Sequence, residues 1–244
     1  MMASVKQVVS TALMNEGVKY IEKNPMENMP KLLNWAEKIV TRENHKRYLQ
    51  KFKDIVEDKD NNWYQLMERY FSELSPSTRK KFLINYMVNS GIVGIPIQDK
   101  MKKKYNCNVP WAILMDPTSA CNLKCTGCWA AEYEKTDSMS FETLDRIINE
   151  GKELGIYMYI YSGGEPLVRK DDLIKLAEKH SDCSFLSFTN ATLVDEEFAK
   201  KLGELGNFGL AISVEGFEKE TDMRRGNGTY NKVMKAMDLL KKEG

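Results

Sequence analysis

Three cysteines within eight residues, in the stretch Cys121-Asn122-Leu123-Lys124-Cys125-Thr126-Gly127-Cys128, constrain this chain more than any other feature. A loop that short can wrap one inorganic centre, because thiolates bind soft and borderline metals strongly and few residues separate them. The count is informative. A structural zinc site or a ferredoxin cluster is normally closed by four protein ligands, whereas three thiolates on a 4Fe-4S cluster leave one iron open to a small molecule. Zinc would need a fourth ligand from Cys107, Cys183, His45 or His180, none of which stands at ribbon or finger spacing. The bacterial ferredoxin spacing is not matched and there is no second cysteine set.

Five cysteines in total, an odd number with three clustered, argue against a secreted disulfide framework and for reduced thiols in the cytoplasm. With 244 residues, 42% hydrophobic and 29% charged, the chain suits one large domain or two modest ones. Thirty-six basic residues against 35 acidic give a formal charge of +1, which supplies no global field to attract nucleic acid. No apolar run approaches the roughly 18 to 20 residues that span a bilayer, and Met1 to Lys23 lacks a signal pattern.

Up to about residue 95 the apolar residues fall at helical spacing: Val5 to Leu13, Leu32 to Val40, Tyr48 to Val56, and Trp63, Leu66, Met67, Tyr70, Phe71 and Leu74. Pro25 and Pro30 read as interruptions and Ser75-Pro76 as a helix start. A further helix, with Phe82, Leu83, Tyr86 and Met87 inward, stops near Gly91. Residues 1–95 are therefore an expected all-α accessory domain whose first helix docks on a partner if it docks on anything. Gly91, Gly94, Pro96 and the lysines between Lys100 and Lys104 make the following stretch a connector, with a linker over 96–110.

From Trp111 the periodicity changes. Strands are expected over Trp111–Met115, Ile156–Tyr161, Ser184–Thr189 and Phe208–Val214, and helices after Ser140, over Lys170–His180, Asp195–Leu205 and Thr229–Lys242. Four βα units imply an α/β fold with a parallel sheet. In such folds chemistry sits beyond the carboxyl ends of the strands. The sequence there is unusual: the cysteine loop after the first strand, Ser162-Gly163-Gly164-Glu165-Pro166 after the second, Asn190 after the third, and Ser213 with Glu215-Gly216 at the fourth.

On these residues the stretch from Trp111 to Gly244 resembles the radical S-adenosylmethionine (radical SAM) superfamily, and most closely its cofactor- and peptide-maturing branch. The signature is a Cys-x3-Cys-x2-Cys loop after the first strand of a partial (β/α) barrel. The resemblance implies that Cys121, Cys125 and Cys128 hold a 4Fe-4S cluster, and that S-adenosylmethionine binds its fourth iron. It assigns Gly163, Gly164 and Glu165 to the motif whose backbone meets the cofactor's amino group, Ser213 and Arg225 to its carboxylate, Glu215 to the ribose, and Asn190 to a further cofactor contact. The sequence departs from the pattern at Gly127, where relatives carry an aromatic residue beside the adenine, at Ala191, where many have glycine, and at Glu215, where aspartate is commoner. Trp129 is either a pocket wall or core, and Cys107 and Cys183 are structural or free.

The implied function is reductive cleavage of S-adenosylmethionine to methionine and a 5′-deoxyadenosyl radical, which abstracts hydrogen from a peptide or small-molecule substrate. An electron donor such as flavodoxin or ferredoxin is implied as partner. The competing reading is a catalytically impaired iron-sulfur or zinc module or scaffold, for which the second-strand motif, Ser213 and Arg225 would have no purpose. Relatives have six β/α units and this stretch, residues 111–244, has four. The resemblance therefore leads us to expect a fragment or truncated product that closes its barrel only with strands from elsewhere.

Overall fold

The computed structural model describes residues 16–17, 19–39, 43–130 and 136–244. Its contacts divide the chain between Lys80 and Lys81 into two compact units. The helix expected over Val5 to Leu13 lies outside the described residues.

The first unit contains helices α1 (Pro25–Ile39), α2 (Glu43–Glu57) and α3 (Asn62–Glu73). Pro30 does not interrupt a helix as expected but lies inside α1. The missing N–H removes one ladder bond, and packing of the buried Met29 and Leu33 holds the helix across it. Asn61 caps α3 by accepting from the N–H of Trp63. The inward face of α3 also differs from expectation: Tyr64 and Phe71 are buried, whereas Trp63 is 64% and Leu66 55% exposed. Moving one residue along a helix rotates the side chain by about 100°. Apolar residues on both sides of the true stripe made the two faces similar in sequence.

Ser75 and Pro76 do start a helix, α4 (Pro76–Phe82), where the Ser75 hydroxyl accepts from the N–H of Thr78. A π-helical stretch (Leu83–Gly94) and α5 (Ile95–Tyr105) follow without the expected stop at Gly91, so the interval read as a linker is largely helical. The wider π turn shifts the buried face. Asn85 and Val88 are buried, while Phe82 and Tyr86, expected inside, stack on each other at the surface with centroids 5.2 Å apart. Polar anchors hold this stretch. Asn85 Nδ2 donates to the carbonyls of Ser181 (3.0 Å) and Cys183 (2.8 Å), Asn89 to that of Asp182 (2.8 Å), and Gln98 to that of Gly155 (2.9 Å). Gly91, Gly94, Pro96 and the lysines carry no hydrophobic period, and polar anchors of this kind cannot be read from spacing, which is why composition suggested a connector.

The sheet has strands β1 (Ala112–Met115), β2 (Met158–Tyr161), β3 (Ser184–Thr189) and β4 (Phe208–Ile212), all parallel and in that order. Trp111, Ile156 and Val214, expected at strand ends, lie outside the ladder. Helices α6 (Phe141–Glu153), α7 (Lys170–Lys179), α8 (Glu196–Leu205) and α10 (Thr229–Glu243) match the expected alternation; a short helix α9 (Glu218–Arg225) is additional. Ser140 and Asp195 cap α6 and α8 through the N–H groups of Thr143 and Phe198. The alternation of side chains along a strand sorts the residues by face. Met115, Tyr159, Tyr161, Phe185 and Phe208 meet Leu144, Ile148, Leu173, Leu176 and Phe198 from the helices in one core. Leu114 and Phe188 are exposed on the other face. The result is a partial (β/α) barrel of four units preceded by helical structure.

Candidate functional site

The cysteine loop leaves β1 at the carboxyl end of the sheet and is tethered at two places. At its start, Asn122 Nδ2 donates to Thr192 Oγ1 (2.8 Å) and Asn122 Oδ1 accepts from Asn190 Nδ2 (2.9 Å). Asn190 Oδ1 in turn accepts from the backbone N–H (3.0 Å) and hydroxyl (2.7 Å) of Thr192. The Asn190 side chain is thus committed to holding the loop. Further along, the Thr126 N–H donates to the Arg224 carbonyl (2.8 Å) and Arg224 Nε donates back to the Thr126 carbonyl (3.3 Å). Gly127, with φ of +68° and open space about it, makes the turn between the second and third cysteines.

The second-strand loop packs directly beneath. N–H groups of Ser162, Gly164 and Glu165 donate to the carbonyls of Met115, Thr118 and Ala120, at 2.9, 3.0 and 2.8 Å. A Cβ at Gly164 would stand 2.2 Å from the Ala120 oxygen, and one at Gly163 would stand 2.6 Å from that of Thr118. The close approach that these glycines permit here is to the backbone leading into Cys121. Glu165 is almost wholly buried and its carboxylate accepts from the Leu167 N–H (3.0 Å), Thr189 Oγ1 (2.7 Å) and the Asn190 N–H (2.7 Å). Burial pushes its carboxyl up from the ordinary range, and those three hydrogen bonds oppose the rise. Glu165 therefore locks the end of β2 to the end of β3.

At the fourth strand, Glu215 lies between two arginines. One oxygen accepts from Arg225 Nε (3.0 Å) and Nη2 (2.5 Å), and the other from Arg224 Nη1 (2.6 Å). These bonds hold the Glu215 carboxyl below its usual range. Both arginines also face the thiols. Burial raises the Cys125 thiol and the neighbouring Cys121 and Cys128 add to the rise, while Arg225 and Arg224 pull it down.

These pieces enclose a cleft of about 160 Å³ lined by Cys121, Cys125, Cys128, Gly163, Gly164, Glu165, Asn190, Ser213 and Arg225. All of these were singled out from the sequence. Glu215 stands behind the lining and acts through the arginines. Trp129, Ser162, Phe188, Thr189 and Arg224 complete the wall. Sequence reading missed Asn122, Thr126, Thr192 and Arg224 as supports; the pair Arg224-Arg225 was a legible signal, the others were not.

The donor set bears on which metal the loop suits, through three of the four candidates for a fourth zinc ligand. Cys107 precedes β1, and His180 and Cys183 precede β3, so in a parallel sheet all three sit at the end opposite the cysteine loop. His180 is bonded to Asp145 and Cys183 is buried. None supplies a fourth zinc ligand. Among the described residues no three His, Cys, Asp or Glu side chains converge as a single ion requires. In a 4Fe-4S cluster each thiolate binds a different iron, so three cysteines ringed around an open cleft with two cations fit that group.

A family model described as "Radical SAM superfamily" matches residues 115–244, and the chain belongs to that superfamily. It is 32% identical over 137 residues to the Fe-coproporphyrin III synthase of Methanosarcina barkeri, covering 54% of this chain and 34% of that protein. It is 30% identical over 156 residues to a cysteine-type anaerobic sulfatase-maturating enzyme of Clostridium perfringens, covering 54% and 41%. The crystal structure of Streptococcus suis SuiB bound to S-adenosylmethionine matches with a TM-score of 0.53 at 22% identity, covering 59% and 35%, a likeness of fold. The chain spans less than half the length of these relatives. S-adenosylmethionine and a 4Fe-4S cluster are the cofactors of the superfamily, and the residues around the cleft suit both. No described helix is long and apolar enough to cross a membrane.

Proposed function

We propose that this chain carries the cofactor-binding part of a radical SAM enzyme. When bound, the reduced cluster supplies the electron that splits S-adenosylmethionine into methionine and a 5′-deoxyadenosyl radical able to take hydrogen from an unactivated C–H bond. The observation that carries the reading is the convergence of the three thiols, the second-strand motif, Ser213 and Arg225 on one cleft.

Each residue has a task that its geometry supports. Cys121, Cys125 and Cys128 would hold the cluster, and the cleft beside them would take the cofactor's amino and carboxylate groups. Ser213 and Arg225 offer a hydroxyl and a guanidinium to that carboxylate, a charge-assisted pairing. Glu215 holds Arg225 in place beforehand, so the carboxylate competes with Glu215 for one face of the guanidinium. Gly163, Gly164 and Glu165 form the floor, with Glu165 as a buried brace. Trp129 and Phe188 wall the cleft and limit water. The electron comes from a small electron-transfer protein such as flavodoxin or ferredoxin. The relatives' names point to a small molecule or a peptide as substrate.

The test is anaerobic reconstitution of the chain with iron and sulfide. About four irons per chain, an EPR spectrum of the reduced cluster that changes on adding S-adenosylmethionine, and release of 5′-deoxyadenosine are expected. Iron uptake with no spectral response and no cleavage would identify the alternative, a cluster-carrying module.

A further inference from the structure

The cysteine loop must present three thiols at fixed separations, yet its Cys125–Cys128 segment has little internal support. Across it the Cys128 N–H donates to the Cys125 carbonyl, at 3.3 Å. Among the described residues, the hydrogen bonds that tie it to another element come from one residue. Arg224, in the last turn of α9, accepts from the Thr126 N–H through its own carbonyl and donates to the Thr126 carbonyl through Nε, so both polar groups of that peptide position meet the same residue. The far end of the guanidinium is fixed in turn, because Nη1 donates to Glu215 at 2.6 Å. The end of α9 is itself anchored: Asp222 accepts from the N–H groups of Gly228 (2.6 Å) and Tyr230 (2.8 Å), and the Gly226 N–H donates to the Asp222 carbonyl (2.8 Å). Asn122, held by Asn190 and Thr192, secures the other end of the loop.

We infer that Arg224 is a positioning residue for the cluster loop, holding Thr126, and with it the second and third cysteines, against the end of α9. This rests on the reading of the cleft as a 4Fe-4S site. A preformed set of ligands binds a cluster more tightly and with less heterogeneity than a loop that must be ordered first. The nitrogen that matters is Nε, since it alone reaches the Thr126 carbonyl.

That specificity makes the test sharp. Glutamine places an amide nitrogen where Nε stands in arginine and lacks the charge; lysine keeps the charge near Glu215 and lacks the Nε donor. Arg224→Ala, Arg224→Gln and Arg224→Lys are reconstituted anaerobically in the full chain, and the rate of iron loss to EDTA and the EPR spectrum of the reduced cluster are recorded. The side chain is 45% exposed, so truncation opens no buried cavity. Arg224→Ala should take up the same iron as wild type, lose it roughly tenfold faster, and show a broadened spectrum, the size expected of one hydrogen bond from a charged donor. Arg224→Gln should lie closer to wild type than Arg224→Lys. Iron loss at the wild-type rate with an unchanged spectrum in Arg224→Ala overturns the inference, as does rescue by lysine rather than glutamine, which would make charge the operative property. Absence of iron from the reconstituted wild type would instead overturn the cluster reading beneath it.

Discussion

At the amino end of the parallel sheet, Asn85, Asn89 and Asn207 donate to the carbonyls of the His180–Cys183 turn and close it; at the carboxyl end, polar residues of the same types hold a loop open around a cleft. Both ends contain cysteine. Cys183 is fully buried and burial drives its thiol far above the usual range, so it stays a protonated, inert core residue. Cys121, Cys125 and Cys128 are partly exposed, and Cys125 has two arginines within electrostatic reach. What separates a structural from a functional polar group here is therefore its remaining capacity. Asn207 Nδ2 is shared among the carbonyls of Ala177 (3.0 Å), His180 (3.4 Å) and Cys183 (3.1 Å), so its donors are spent inside the fold, and its Oδ1 is buried where no ligand reaches it.

The largest expected effect comes from exchanging the two kinds of cysteine. Cys125→Ala should abolish the site-differentiated cluster, with iron per chain falling from about four, whereas Cys183→Ala should leave iron content unchanged and lower stability by about 1 kcal/mol through the void left in the core. Equal iron loss in both variants would erase the distinction between the two ends.

Asn207→Ala should cost about 2 to 3 kcal/mol in a denaturant titration, because it strips a donor from buried carbonyls, with no change in iron uptake. Arg225→Ala should also leave iron uptake unchanged and should cost less stability, about 1 kcal/mol for the lost pairing with Glu215, while affinity for S-adenosylmethionine falls by roughly tenfold or more, the loss of a charge-assisted bond. Isothermal titration against the reconstituted chain checks it, and unaltered affinity would place the carboxylate anchor on another residue.

The smallest effect is a pH dependence of the amino end. Burial lowers the affinity of His180 for a proton, although its Nε2 lies 2.8 Å from Asp145, and His180 Nδ1 is buried without a partner. The unfolded chain then takes up the proton before the folded one does. Stability is full above an ordinary imidazole value of about 6.5 and declines as pH drops below it. Partial burial works against the Asp145 charge, but hydrogen bonds from Lys179 and His180 outweigh it and hold the carboxyl low. Its contribution is lost only as pH falls further, below about 4. Urea unfolding at pH 7.5 and 5.5 should show the first loss, and His180→Asn should flatten it. A wild-type profile that is flat between these values would contradict the assignment of a neutral imidazole.

Local chemistry wrote the alternation of strand and helix, the Ser140 and Asp195 caps and the cysteine loop into the sequence, because a period of two or 3.6, a capping oxygen and a ligand spacing are each set by neighbours in the chain. Position at the ends of parallel strands followed, and with it nine of the residues that line the cleft. The burden carried by those residues did not. That Asn190 would hold Asn122, that Gly163 and Gly164 would admit the Thr118–Ala120 backbone, and that Glu215 would clamp two arginines are long-range pairings. The inward face of α3 and the π-helical run over Leu83–Gly94 were likewise decided by tertiary packing and by polar anchors to the 181–183 turn. Sequence spacing selects which groups arrive at an end of the sheet; only three-dimensional pairing determines which of their donors and acceptors are already satisfied on arrival, and therefore which remain free to bind.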